Sequence, residues 1–531
     1  MNRYSLRNQW QQCSELAIRR WQAEELRRYL RTVVLPFSAH YRQLFQEHGL
    51  EAESFRALED LQRLPFTTKS DLVSTAAQPQ RFKDFILIPD QTVLARRPGT
   101  ILRVLLHGRE RVKQDFEAEF RPIFATFTTG RSAEPTPLFF TQHDLNRLAI
   151  AGRRLVEICA ARPEDRLLNT LPFAPHLAFW LAHYAGTAGG VLTMSSGGGK
   201  VMGTEGNLRH IRKFKPDILI GVPTFVYHLL HQAAEEGVHC ENLRRIVLAG
   251  EKVSDGLRVK LRDLALELGA RNVDVLATFG FTEAKLAWSE CPFPHDQPSS
   301  GYHLYPDLGI VEVIDPPTGQ ALPPGQPGEL VFTPLDARGS VVLRYRTGDY
   351  TDGGLTYEPC PYCGRSLPRI LGNISRRSEI KEMNFDKIKG TLVDFNELEH
   401  VLDGAAHVGA WQVELRKLND DPLEVDELIL HVQKLNGADE EQLRRELNER
   451  CVAHLEIHPN KILFHDAGEI RKLQGVGALI KEQKLVDHRA QVPPLNQQTN
   501  STGASSNGKE PQSGVVAGHK PEISPRKKIV L

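Results

Sequence analysis

The spacing of apolar and polar positions changes character several times along the chain. From residue 1 to about 60, Leu16, Ile18, Trp21, Leu26, Tyr29, Leu30 and Val33 recur at helical spacing among many arginines, which predicts amphipathic helices lying on a surface. Between roughly 120 and 290, short apolar runs such as 218-ILIGVP-223 and 245-RIVLAG-250 alternate with helical stretches such as 255-DGLRVKLRDLALELG-269. Alternation of this kind predicts an α/β architecture with a largely parallel sheet. Over 309–347 three strand-like runs are separated by Pro/Gly turns, the pattern of an antiparallel unit. After about 376 the runs 410-AWQVELRKL-418 and 428-LILHVQKL-435, followed by the helical 439-DEEQLRRELNERC-451, predict a separate small α+β domain. Residues from about 490 to 531 are rich in Pro, Ser, Gly, Asn and Gln and too poor in apolar side chains to fold, so a disordered tail is expected.

Length and charge narrow the function. At 531 residues the chain exceeds what one hydrophobic core supports, so two or more domains are expected. Lys plus Arg and Asp plus Glu each total 66, and a net charge of zero disfavours nucleic acid as a partner. The N-terminus is polar where a signal peptide has an apolar core, and no window approaches the roughly 18 apolar residues of a membrane span. A soluble, cytoplasmic protein with no membrane partner is expected, and a homodimer is allowed. Seven unevenly spaced cysteines do not form a disulfide framework, and in a reducing compartment a close pair points to a metal.

Four polar clusters each end a strand-like run, where open α/β sheets place their ligands. The first, 126-TFTTGRSAEPT-136, offers hydroxyls, backbone N–H groups and Arg131 as an anion cradle, without the spacing of a Walker A loop. The second is 249-AGEK-252. The third, 277-ATFGFTEA-284, supplies Phe279 and Phe281 as flat faces, Gly280 for close approach, Thr282, and Glu283 as a carboxylate of the kind Mg²⁺ shares with nucleotide phosphates. The fourth is 344-RYRTGDY-350 with Asp349. Taken singly, each reads equally as an ordinary turn.

Taken in order, the four motifs resemble those of the adenylate-forming superfamily of acyl-CoA ligases, adenylation domains and luciferases. The segments 64-LPFTTKSDL-72, 216-PDILIGVPTFVYHLL-230 and 389-KGTLVDFNELE-399 extend the resemblance to the phenylacetate-CoA ligase branch, over about residues 20–485. It implies a large α/β N-terminal domain over 1–375 with an antiparallel subdomain, and a small mobile α+β lid over 376–489. Thr126, Thr128, Thr129, Gly130 and Arg131 would lie over the β/γ-phosphates of ATP. Gly250, Glu251, Phe279 and Gly280 would surround the adenine, Thr282 would meet the α-phosphate, Glu283 would hold Mg²⁺, and Asp349 would accept from the ribose hydroxyls. Phe173, His176 and Gly189 would line the acid pocket. In the C-terminal domain the family's catalytic Lys follows a Gly, but 466-DAGEIRKLQG-475 has Glu469 there, leaving Lys472, with Arg471 second, as the substitute cation. Phe127 and Arg131 also depart from the usual phosphate loop.

Cys360 and Cys363 in 359-PCPYCGR-365 have the spacing of a zinc knuckle. Upstream, 290-ECPFPHDQPSSGYH-303 offers Cys291 with His303 or His295. The resemblance implies structural Zn²⁺ on Cys291, His303, Cys360 and Cys363, inside an antiparallel unit of about 288–370. The expected activity is ATP-dependent activation of a small carboxylic acid, an aromatic one for preference, as an acyl adenylate, then transfer to coenzyme A. Transfer to a carrier-protein thiol or an amine, and a degenerate nucleotide-binding protein, are the alternatives.

Overall fold

The computed structural model describes residues 10–489 except 75–77, 129–134, 377–379, 387–388, 421–424, 436, 456 and 480–481. The expected tail therefore lies outside the described residues. Ser14 caps helix α1 (Glu15–Tyr29) by accepting from Ala17 N, and Ile18, Trp21, Leu26 and Tyr29 are buried. Leu16 is 59% exposed, off that stripe. Helices α1 and α2 (Ala39–Glu47) share a core with Ile310, Leu335, Val341 and Tyr345, so they cover the antiparallel unit as a packing layer. Two further helices, α3 (Pro98–His107) and α4 (Arg109–Phe120), precede the hairpin of β1 (Pro122–Phe127) and β2 (Pro137–Thr141).

Among the described residues the main sheet has nine strands. Its parallel half comprises β3 (Arg166–Asn169), β4 (Leu192–Ser195), β5 (Ile218–Gly221), β6 (Arg245–Leu248) and β7 (Asp274–Phe281), in the order β7-β6-β5-β3-β4. The connecting helices α5 (Gln142–Ile158), α6 (Leu177–Ala188), α7 (Gly198–Phe214), α8 (Pro223–Glu235) and α9 (Asp255–Glu267) bury the sheet in the largest core. Beyond β7 the sheet turns antiparallel through β8 (Leu286–Ser289) and β9 (Tyr302–His303). A second, antiparallel sheet holds β10 (Gly309–Ile314), β11 (Gly328–Pro334) and β12 (Tyr345–Thr351). The third strand-like run of the sequence enters the sheet only at Tyr345, because Arg344 takes a left-handed φ of 47° that breaks the extended chain.

A smaller module carries its own core of Leu398, Val413, Leu430 and Leu447. It contains α10 (Phe395–Asp403), β13 (Val408–Lys417), β14 (Asp426–Lys434), α11 (Glu440–Leu455), β15 (Lys461–His465) and α12 (Ala467–Leu473). The module rests on α8 and α9. His228 Nε2 meets Gln474 Oε1 at 2.6 Å, Arg471 donates to Gln232 at 2.8 Å, and Lys260 donates to the Gly409 carbonyl at 3.2 Å. At the centre of the joint the buried Asp403 accepts from Ser254 Oγ of the large domain and, at 2.6 Å, from the Trp411 indole.

Candidate active site

The parallel strands end at one cavity of about 340 Å³. At the end of β6, Gly250 turns the chain with a φ of 89°, open to glycine at little cost. Glu251 then reaches the N-terminus of α8, where its Oε2 accepts from Thr224 N at 3.2 Å and from Thr224 Oγ1 at 2.8 Å. The positive end of the helix dipole favours a carboxylate at that point. Strand β7 brings Phe279 and Gly280, and the turn after it brings Thr282 and Glu283. The Thr282 hydroxyl makes no hydrogen bond among the described residues. Glu283 is buried, and Tyr345 donates to its Oε1 at 2.6 Å, while Oε2 has no hydrogen bond among the described residues. Burial, together with the Glu283 charge, pushes the Tyr345 phenol far up, so it stays a neutral donor. On β12, Asp349 is ion-paired with Arg376 at 2.9 Å.

The cavity gathers Thr128, His176, Gly250, Glu251, Phe279, Gly280, Thr282, Glu283 and Asp349 from distant segments. Thr128 closes the base of the hairpin loop, donating from N to the Thr136 carbonyl at 3.0 Å and accepting from Thr136 N at 3.2 Å. His176 Nδ1 lies 3.1 Å from the Phe127 carbonyl, joining the loop to the apolar wall of Phe179, Ala182 and Ile220. Thr129, Gly130 and Arg131 lie outside the described residues.

Four expected residues do not line the cavity. Thr126 is fully buried in β1. Phe173 is 54% exposed, its ring edge-on to Phe179 and Trp180. Gly189 ends α6 so close to α5 that an added Cβ would meet Val156 at 2.8 Å. Lys472 is exposed, and Arg471 is committed to Gln232. Glu469 does not present its carboxylate to the cavity. It caps α12, with Glu469 N donating to Asp466 Oδ1 at 2.8 Å and Glu469 Oε2 accepting from Asp466 N at 3.3 Å.

Other residues also line the cavity or hold its side chains. Lys69, in the segment 64–72, lines the cavity and has no hydrogen-bond or ion-pair partner among the described residues. Tyr345 and Thr224 orient the two key carboxylates. Lys484 is half-buried in the small module, 2.7 Å from Glu399. Burial works against its charge, but Glu399, Asp403 and Glu251 together hold its ammonium above the usual range.

Beside the antiparallel half of the sheet, Cys291, His303, Cys360 and Cys363 bring their ligand atoms within 4.8 Å of one another. Cys291 and Cys360 are 3.6 Å apart, and Cys363 Sγ is 3.3 Å from His303 Nε2. A zinc tetrahedron with bonds of about 2.0–2.3 Å has edges of roughly 3.3–3.8 Å, so the set fits that ion. His303 Nδ1 sits 3.3 Å from the Ser289 carbonyl, a contact that fixes Nε2 as the ligand atom. His295 is 46% exposed beside Asp274 and stands apart.

A profile described as AMP-binding enzyme matches residues 54–334. The chain is 27% identical over 477 residues to the phenylacetate-coenzyme A ligase of Pseudomonas putida, covering 88% of this chain and 95% of that one. It is 29% identical to the ligase of the same name from Thermus thermophilus, covering 69% and 73%. Among solved structures, 2-hydroxyisobutyryl-CoA ligase in the postadenylation state with 2-HIB-AMP superposes with a TM-score of 0.71 at 20% identity, over 91% of this chain and 92% of that one. That likeness is one of fold.

Proposed function

The chain belongs to the AMP-binding enzyme family, and from that premise we propose that it activates an apolar, aromatic carboxylic acid with ATP and passes the acyl group to coenzyme A. The observation that carries this reading is the convergence of Glu251, Phe279, Thr282, Glu283 and Asp349 on one cavity with an apolar wall. The phenylacetate-coenzyme A ligases among the relatives support the acid and the acceptor.

A carboxylate is a poor electrophile until its oxygen carries a good leaving group. It attacks the α-phosphorus of ATP, pyrophosphate departs, and the thiolate of coenzyme A then displaces AMP from the acyl adenylate. Phosphoryl transfer depends on positioning and charge neutralisation more than on covalent help from the protein. Phe279 and the Gly250–Glu251 turn hold the adenine, Asp349 accepts from the ribose hydroxyls, and the free Thr282 hydroxyl donates to the α-phosphate. Lys69 supplies positive charge to the phosphates, a role open to it because nothing else in the described structure claims its ammonium. His176, Phe179 and Ala182 hold the acid and exclude water.

Glu283 would hold Mg²⁺ through Oε2 while Tyr345 fixes Oε1; the ion, when bound, would neutralise the phosphate oxygens. The cysteine/histidine set would hold Zn²⁺ with four protein ligands, a closed structural site pinning the 290–303 and 359–365 segments together. The small module, over about 376–489, acts as the lid, and Lys484 is its charged approach to the nucleotide turn. Incubation with ATP, Mg²⁺, coenzyme A and a panel of arylacetic and arylalkanoic acids tests the reading. An acyl-CoA thioester and AMP in equal amounts are expected; AMP formation with hydroxylamine but not with coenzyme A would assign a different acceptor.

A further inference from the structure

Helix α3 is amphipathic in the reverse sense. None of its residues is buried, and Ile101, Leu102, Leu105 and Leu106 are 45%, 57%, 78% and 68% exposed. Spacing of i, i+1, i+4 and i+5 sets these four side chains along one face of the helix. The polar side does the packing: Arg103 donates to Asp115 of α4 at 2.8 Å and lies 5.4 Å over the Phe116 ring. Arg97, just before the helix, donates to the Thr32 carbonyl at 2.9 Å. The helix is thus tethered by its cations and turns its aliphatic face to the outside, the opposite of what folding alone favours.

We propose that α3 docks this protein on the surface of an anionic lipid membrane. Residues 96-RRPGTILRVLLHGRERVK-113 hold six Lys or Arg and a single acidic residue, in a chain whose net charge is zero. Arg103 and Arg111 pair with Asp115 and Lys113 with Glu117 of α4, while Arg96 and Arg109, at the two ends of α3, have no ion-pair partner among the described residues. An aliphatic face with an unpaired cation at each end is the chemistry of a helix lying in the lipid headgroup layer. A second copy fits less well. The exposed face offers roughly 400 Å² of aliphatic surface, about half of what one partner brings to a stable dimer. Two-fold pairing would also set the same cluster of cations against itself. No described helix is long and apolar enough to cross a membrane, and the expectation of no membrane partner rested on the lack of such a span; lying on the surface needs none. An enzyme of the proposed kind would gain from this position by meeting an apolar acid where it partitions.

The test uses the full chain and vesicles of phosphatidylcholine alone or mixed equally with phosphatidylglycerol. Wild type is expected to sediment with the mixed vesicles, to stay in solution with phosphatidylcholine alone, and to be released by high salt. Leu105→Glu/Leu106→Glu should cut sedimentation by at least roughly tenfold, and Arg96→Glu/Arg109→Glu should weaken it, with acid-dependent ATP/pyrophosphate exchange unchanged in both. Wild type that ignores the mixed vesicles, or a glutamate pair that sediments like wild type, would overturn the proposal. So would a wild-type dimer that the glutamate pair makes monomeric without any vesicle binding, since the face would then join copies of the chain. Loss of exchange with every acid in wild type would sink the proposed function and leave the vesicle result standing by itself.

Discussion

The joint between the two domains should come apart in mild acid, and His228 should be the reason. This side chain is 1% exposed, on α8, facing Gln474 of the small module. Burial pushes its pKa down to about 4, and the bond to Gln474 only partly offsets this. Released, the imidazole would titrate at about 6.5. A group whose folded pKa is depressed binds fewer protons folded than unfolded between the two values, so stability rises with pH across that window. The contribution is therefore complete above about pH 6.5 and is lost as pH falls toward 4. Two to three pKa units correspond to about 3 kcal/mol in all, of which about 2 kcal/mol should go between pH 7 and pH 5. His228→Gln keeps a donor for Gln474 Oε1 but has no proton to gain. Urea unfolding at several pH values, followed by tryptophan fluorescence, should show the wild-type slope flattened in the variant. Identical pH profiles for the two proteins would refute the reasoning.

Glu283→Gln should lower acid-dependent exchange by on the order of 10²–10³-fold, as expected for loss of a group acting on developing charge. Tyr345→Phe should raise the Mg²⁺ concentration needed for half-maximal exchange by about 10–100-fold, because it only orients the carboxylate; steady-state assays across a Mg²⁺ series separate the two. Cys360→Ser should take bound zinc, measured by atomic emission, from about one ion per chain to near none. It should also expose the 359–365 knuckle to limited proteolysis. In Gly256→Ala the added methyl would meet the Asp403 carbonyl oxygen at 2.3 Å, and overpacking of that kind costs about 1–3 kcal/mol. The small module should lift away, so that ATP binding by calorimetry persists while thioester formation falls.

The strand-end motifs were legible because each is local: a few consecutive residues determine both the turn and the groups it presents. The capping role of Glu469 was legible on the same terms, since Asp466 and Glu469 have the spacing of a capping box, but the family's lysine position drew attention to it for another reason. What joins distant parts was not legible. The engagement of Asp403 by Ser254, 149 residues away, depends on how the small module docks. The family resemblance points to His303 rather than His295, but the physical reason is strand pairing, which sets His303 opposite Ser289 and aims it into the cysteine cluster. Phe173 and Gly189 sit in segments of the right composition, but Phe173, in the loop before α6, packs edge-on to Phe179 and Trp180, and Gly189 is held against Val156 of α5. Phe179 and Ala182 of the same stretch line it instead.

The central claim is that the cavity forms an acyl adenylate. Exchange of labelled pyrophosphate into ATP, measured with and without each acid in the panel and with no coenzyme A present, tests it directly. Exchange that depends on an apolar aromatic acid and vanishes in Glu283→Gln is the predicted result. Tight ATP binding with no exchange for any acid would contradict the account.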